Sequence, residues 1–249
     1  MPLTGTRDLT TIAATAPLVA GGADEPWQLP GAQILQLMYE IDDSAMTSLL
    51  PNALHPTIPP TLVFTVTRFP DSPAGPFVLA EVRVGCRSGA RPRGFLARGY
   101  CDSVEAAKQL GARWGYPLEV ADVTLEKRYD KVQAGVRRGA ATLLDMQLSN
   151  PEPVSGNDVQ YLASLNLARM NRDGAEAARL VQVDPEYTFR SADRGKPMLS
   201  AFEPAAWLLD GARTVWPVSA SYCTADVAMP VIRYLVDPVK APLVSVERV

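Results

Sequence analysis

Two carboxylates in this chain stand where acid–base chemistry could use them. Glu81, in LAEVRVG, shares one side of a strand with Arg83, while Val82 and Val84 take the other, because side chains alternate along an extended chain. Glu119 lies in RWGYPLEV, residues 113–120, after a glycine able to end a helix, the Tyr116-Pro117 pair and the inert Leu118. A carboxyl buried at such a turn has its pKa pushed up by desolvation, toward the working range of a general acid or base. Each also has a plainer reading. The Glu81-Arg83 face is either the polar interior of a cavity or the solvated face of a sheet over a Val-rich core. Glu119 either faces inward, or the turn is rotated by one residue so that Leu118 faces in and Glu119 pairs outward with an arginine.

The neighbours of these groups extend the same choice. The Tyr116 phenol could donate to a carbonyl, Arg113 could reach a cavity mouth or Glu119, and Trp114, Tyr39 and Phe95 are candidates for cavity wall or core. Arg87, Arg91, Arg93 and Arg98 crowd CRSGARPRGFLAR, where Gly89 and Gly94 would free the backbone to cradle an anion. That stretch lacks the G-K-[ST] ending of a phosphate loop, and a charged hairpin tip is the simpler account. His55 is the single histidine, and Cys86, Cys101 and Cys223 are scattered without a C-x-x-C pair. No ordinary zinc site or Ser-His-Asp set follows from them, so neither metal nor cofactor is expected. The thiols read as free cysteines in a reducing compartment. Lys127, between Glu126 and Arg128, reads as part of an exposed charged strand.

A chain of 249 residues, 47% hydrophobic and 20% charged, can bury a full core as one domain. A formal charge of -3 and a pI near 5.3 leave nothing to neutralise a nucleic-acid backbone. Without a leader-like apolar segment or an apolar run long enough to span a bilayer, neither export nor membrane insertion is expected; the cytoplasm is the expected location. The first 25 residues or so read as a flexible or wrapping arm outside the core, and residues 26–249 as a single domain.

Within that domain QILQLMYEI reads as a strand, and DDSAMTSLLP as a short capped helix stopped by Pro51. TLVFTVTRF and FVLAEVRVGC read as adjacent antiparallel strands, with GFLARGYC a third. Asp102 or Ser103 caps the helix VEAAKQLGARW, with Val104, Ala107, Leu110 and Trp114 at helical spacing and Gly115 at its end. DVTLEKRY and KVQAGVRR form a hairpin, ATLLDMQL continues the sheet, and YLASLNLARM turns at Asn171-Arg172-Asp173-Gly174 into the returning strand AEAARLVQV. SYCTADVAMPVIRYLVDP reads as a short helix or turn and a last strand. The fold class is α+β, mostly antiparallel sheet with a few short helices.

The order and spacing of several motifs resembles the acetoacetate decarboxylase family from about Ile34 to Asp237. They are AMTSLLPNAL, Tyr100 with Asp102 leading into a helix, WGYP at 114–117, TLEKRYDKVQAG, WPV at 216–218 and ADVAMP at 225–230. The resemblance implies a cone- or barrel-like fold enclosing a small apolar cavity, in homo-oligomers. In that family two lysines follow the WGYP-like turn, one forming a Schiff base with a keto acid and the other lowering its pKa. Leu118 and Glu119 occupy those positions here. Gly111-Ala112 replaces an Arg-Glu pair common in relatives, and no arginine stands near Asp24, where the family places one for the substrate carboxylate.

The expectation is therefore a lysine-independent enzyme that handles a small or medium carbonyl compound by acid–base chemistry: dehydration, cyclisation or aldol-type carbon–carbon chemistry, as in a tailoring step of secondary metabolism. Glu119, Glu81 and Tyr116 are the expected catalytic residues; Arg83, Arg113, Leu118 and Trp114 are the expected substrate contacts. Glu119 is expected in the cavity by the family likeness. The alternatives are a non-catalytic binding protein that kept the cavity, and a decarboxylase working through Lys127.

Overall fold

In a computed structural model of the chain, the residues described are 3–19, 25–89, 91–172 and 175–249. The fold is α+β and dominated by antiparallel sheet, in agreement with the sequence pattern. Its strands are β1 (Leu18–Val19), β2 (Trp27–Ile41), β3 (His55–Pro56), β4 (Thr61–Phe69), β5 (Phe77–Ser88), β6 (Arg91–Leu96), β7 (Gly99–Cys101), β8 (Leu118–Val120) and β9 (Asp122–Lys127). They continue with β10 (Lys131–Arg138), β11 (Ala141–Pro153), β12 (Ala163–Arg172), β13 (Ala175–Val183), β14 (Glu186–Phe202), β15 (Thr214–Met229), β16 (Tyr234–Val236) and β17 (Val246–Arg248). The α-helices are α1 (Thr10–Ala13) and α2 (Val104–Trp114). No helix among the described residues is long and apolar enough to cross a membrane.

The long strand β2 is the hub. One edge pairs with β15, which leads through β14 and β11 to the β10–β9 hairpin; the other pairs with β4 and so with β5. The far edge of β5 then splits. Its later residues pair with β6, which runs parallel to β12 and leads to β13, β16 and β17, while Leu79–Glu81 pairs with β7, parallel to β8.

This splitting buries both faces of the β2–β4–β5 layer. On one face Leu35, Leu37, Phe64, Val66, Val82 and Val84 pack into a large core that includes Leu125, Val132, Val136 and Met146 of the β9–β11 layer. The opposite face, with Ile34, Phe69, Phe77 and Leu79, packs in a second cluster with Leu110 and Trp114 of α2 and with Ala168 and Val181. Ten consecutive residues of β5, Phe77 to Cys86, are buried, so the Glu81-Arg83 side is no solvated face. A strand buried on both sides reads as a nearly continuous apolar run, and here that run contains one acid and one base.

Helix α2 positions the turn that carries Tyr116. Ser103 caps its start, the side chain accepting from Ala106 N at 3.2 Å, and Gly115 ends it in the left-handed region. Its buried stripe is Ala106, Leu110, Gly111 and Trp114; of the residues expected on it, Ala107 is half-buried against the same cluster and Val104 is 70% exposed. Trp114 donates Nε1–H to Pro230 O at 2.7 Å, and Asn166 Nδ2 donates to Trp114 O at 3.0 Å, which fixes the end of the helix against β12 and the tail of β15.

Other expectations shift with packing. The segment DDSAMTSLLP holds only a 3-10 turn over Asp43–Ala45, with Asp42 accepting from Ser44 N. SYCTADVAM is not helical but the second half of β15, bound between β2 and β14. β13 returns beside β12 as expected; Asp173 and Gly174 of the connecting turn lie outside the described residues, as does Asp24. The expected N-terminal arm wraps the domain and enters its core: Leu9, Ala13 and Ala16 are buried there, and β1 adds to β12.

Gly115 has φ +66, and a Cβ at this position would meet Ala168 Cβ at 2.6 Å and Val181 Cγ2 at 3.1 Å. Gly115→Ala therefore combines left-handed strain with overpacking and is expected to cost about 2–4 kcal/mol in chemical denaturation. Gly139, with φ +57 and open space around it, supplies the comparison: Gly139→Ala should cost only the strain, about 1–2 kcal/mol. Equal losses at the two positions would contradict the packing described for Gly115.

Candidate active site

The alternation along β5 turns Glu81 and Arg83 into a narrow, partly open cavity of about 30 Å³, room for about two water molecules. Its floor comes from the central strands, with Thr65 and Thr67 beside Glu81 and Arg83; α2 and its following turn supply Leu110 and Tyr116; Ser164, Tyr161 and Tyr187 close the sides. Most of the remaining lining is aliphatic or phenyl, including Leu29, Ile34, Phe69, Phe77, Val227 and Met229.

Glu81 and Arg83 form a two-point ion pair, Nη2 to Oε2 at 2.6 Å and Nε to Oε1 at 3.2 Å, with side-chain exposures of 4% and 7%. A third bond, Arg83 Nη1 to Leu162 O at 2.8 Å, fixes the guanidinium against the start of β12. Gly94 leaves the space this requires, since a Cβ there would meet Arg83 Cβ at 2.9 Å. Burial acts first and against the Arg83 charge; the charge and hydrogen bonds of Glu81 outweigh it, and the pKa ends above its ordinary value.

The phenols around the pair are held neutral. Burial, and then the negative charge of Glu81, push the Tyr116 pKa well above its usual value, with Arg83 partly offsetting them. Burial likewise pushes Tyr187 up to about 12, against the pull of Arg83. Both are therefore hydrogen-bond donors at any ordinary pH. Thr65 Oγ1 and Ser164 Oγ, on residues 3% and 2% exposed, are buried without a hydrogen-bond partner. Ser164 is near enough to Tyr116 to pull that phenol's pKa down slightly, yet no bond of ordinary geometry satisfies its hydroxyl. Buried hydroxyls left open in this way are ready for a polar ligand.

The strand register answers the question raised by Leu118 and Glu119. Glu81 pairs with Gly99, and Gly99 with Leu118, so these three residues form one row facing one side. Ala80, Tyr100 and Glu119 form the next row, and their side chains take the opposite side. Leu118 packs against the cluster around the cavity, with its Cδ2 close over Gly99. Glu119 is turned outward, ion-paired with Arg98 at 3.0 Å and with Arg138, and borders a surface groove. The expectation of an inward Glu119 is thus corrected, because the alternation that turns Leu118 toward the cluster turns its neighbour away from it.

Three of the expected substrate contacts, Arg113, Trp114 and Leu118, lie outside the cavity lining, Leu118 bordering the same surface groove as Glu119. Arg113 donates to Glu25 O at 2.8 Å and lies over the rings of Trp27 and Trp114, and Trp114 is a fully buried core residue. Of the residues expected at the site, the structure brings Glu81, Arg83 and Tyr116 together. Thr65, Ser164, Tyr161 and Tyr187 were not foreseen. The hydroxyls alternating with Phe64 and Val66 in TLVFTVTRF carried a signal, since polar groups at every second residue of a buried run must share an interior face; Tyr187 offered none. None of the five lysines, Lys108, Lys127, Lys131, Lys196 and Lys240, lines the cavity. Lys127 lies at the surface, 3.2 Å from Asp193 and over the Tyr222 ring.

Among solved structures, the acetoacetate decarboxylase of Legionella pneumophila subsp. pneumophila str. Philadelphia 1 is similar to this chain with a TM-score of 0.74 and 19% identity, over 84% of this chain and 86% of that one. The enduracididine biosynthesis enzyme MppR, in complex with the condensation product of pyruvate and imidazole 4-carboxaldehyde, is similar with a TM-score of 0.67 and 12% identity, over 82% and 87%. An acetoacetate decarboxylase-like enzyme from Sphingomonas wittichii RW1 is similar with a TM-score of 0.67 and 15% identity, over 93% and 98%. At these identities the three share the fold. No curated protein matches the chain by sequence. The family model for acetoacetate decarboxylase (ADC) matches residues 15–239, nearly the whole length and every described strand except β17, which does not line the cavity. The chain belongs to the acetoacetate decarboxylase family.

Proposed function

We propose that this protein is a lysine-independent enzyme of its family that moves a proton next to the carbonyl of a small compound, with Glu81 as the acid–base group. The observation that carries the reading is a carboxylate held by Arg83 in an apolar cavity beside open hydroxyls, with no lysine in the lining.

A carbonyl oxygen placed toward Tyr116 and Ser164 accepts hydrogen bonds from them, and its α-carbon then faces Glu81. The carboxylate takes the α-proton, the C–H electron pair moves into an enolate, and the neutral phenol and the fixed guanidinium stabilise the charge that develops on oxygen. The enolate then attacks a second carbonyl, or expels a β-hydroxyl that leaves as water after protonation. Both outcomes use the same first step, so the site supports aldol-type and dehydration chemistry alike. The MppR complex, which holds a pyruvate–aldehyde condensation product, lends analogy to carbon–carbon chemistry on this fold and to a setting in secondary metabolism.

The direct assay is exchange of α-protons of pyruvate or acetoacetate with deuterated solvent, followed by NMR. Glu81→Gln should slow enzyme-dependent exchange by about 10²–10⁴-fold. Because Gln leaves Arg83 uncompensated, stability should also fall by up to about 3–5 kcal/mol, so rates are compared well below both melting transitions. Glu119→Gln should leave exchange within about twofold of the parent, as expected for an outward pair that gives up at most about 1 kcal/mol of stability. Exchange that survives Glu81→Gln and is lost in Glu119→Gln would overturn the assignment. Borohydride added with acetoacetate should leave the intact mass unchanged; a trapped adduct would restore the Schiff-base route.

A further inference from the structure

Outside the cavity wall lies a cleft of about 630 Å³ whose arginines, among the described residues, have no ion-pair partner within 4.0 Å. Pro185 lines both spaces, and on either side of it the chain passes from one to the other: Tyr187 and Met229 face the cavity, Glu186 and Pro230 the cleft. The charged groups of the cleft are Arg91 and Arg93 from β6, Arg233 before β16, Asp184 on the link into β14 and Glu186 at the first position of β14. Among the described residues none of these five forms an ion pair within 4.0 Å.

Arg93 carries the argument. It is 9% exposed, its Nη1 donates only to the adjacent Pro92 O at 3.0 Å, and its Nε is buried without a partner. Burial lowers its pKa, Asp184 only partly offsets this, and Arg91 adds to the lowering. A guanidinium so placed is costly unless an anion completes it, and its planar fork matches the oxygens of a carboxylate or phosphate. Three guanidiniums against two carboxylates leave the cleft positive, and both carboxylates are exposed to solvent.

We infer that this cleft is an oxyanion-binding site, centred on Arg93 with Arg91 and Arg233, which receives the carboxylate or phosphate of a small organic acid at the outer side of the cavity wall. The link to the cavity rests on the function proposed above. The anion site itself does not depend on turnover, so the two readings can fail separately.

The test is calorimetric titration of the full chain with two probes, succinate and inorganic phosphate, at low ionic strength. Saturable binding of at least one probe is expected, weakened tenfold or more in Arg93→Gln and partly retained in Arg93→Lys; the probe that binds more tightly identifies the preferred oxyanion. Glu81→Gln should bind with the affinity of the parent. If Arg93→Gln does not fold, Arg233→Gln, at an exposed position, should weaken binding about threefold or more. Failure of both probes to saturate, or unchanged affinity in a folded arginine variant, would overturn the site. Anion binding that follows Arg93 while Glu81→Gln keeps full exchange activity would retain the site and remove the chemistry proposed for the cavity.

Discussion

The rest of the structure depends on a buried ion pair with side-chain exposures of 4% and 7%. β5 is covered on both faces, so Glu81 and Arg83 have to satisfy one another in place, and the two-point contact with a third bond to Leu162 O does so. Such a pair is a poor source of stability, because the desolvation of both charges consumes most of their attraction. An aliphatic pair at the same two positions would build the sheet at least as well. That a charged pair stands there, beside hydroxyls with no partner, fits a cavity shaped for a polar ligand better than one shaped only to be filled.

In the function proposed above, the same alternation would let the cavity keep Glu81 as its acid–base group while position 118, where the sequence resemblance places the family's lysine, holds leucine. Glu81, Gly99 and Leu118 form a single row across three strands, so whatever stands at 118 adjoins the carboxylate and whatever stands at 119 is on the far side. A lysine at 118 would set an amine next to Glu81; leucine leaves that carboxylate with Arg83 as its one ion-pair partner among the described residues. Glu119 instead joins Arg98 and Arg138 near the Tyr100 hydroxyl, a surface cluster that ties β8 to its neighbours. In the proposed chemistry the row, and not the turn, selects the reacting group.

Much of the fold was legible because its signals are local. The alternation of β4 and β5, the β9–β10 hairpin and the capped helix α2 with Gly115 follow from residues within one element, and the structure has each of them. β14 was not legible: in EYTFRSADRGKPMLSAF the alternation breaks at Ser191-Ala192 and the run contains Gly195 and Pro197, yet it is a strand of 17 residues because β11 and β15 pair with it along different halves. Within the site, Glu81 and Arg83 were visible as a pair, but which of their two faces was interior depended on α2, β12 and β13 covering it. Glu119 was misplaced because a sequence motif fixes a position along the chain, while the side a residue faces is decided by register with β7.

A crystal structure of the protein with pyruvate bound tests the central claim most directly. The account predicts the ketone oxygen within hydrogen-bond distance of Tyr116 or Ser164, the methyl carbon facing a Glu81 carboxylate oxygen, and no electron density joining the ligand to any amine. Pyruvate seated instead in the groove beside Glu119, or continuous density to a lysine Nζ, would contradict it.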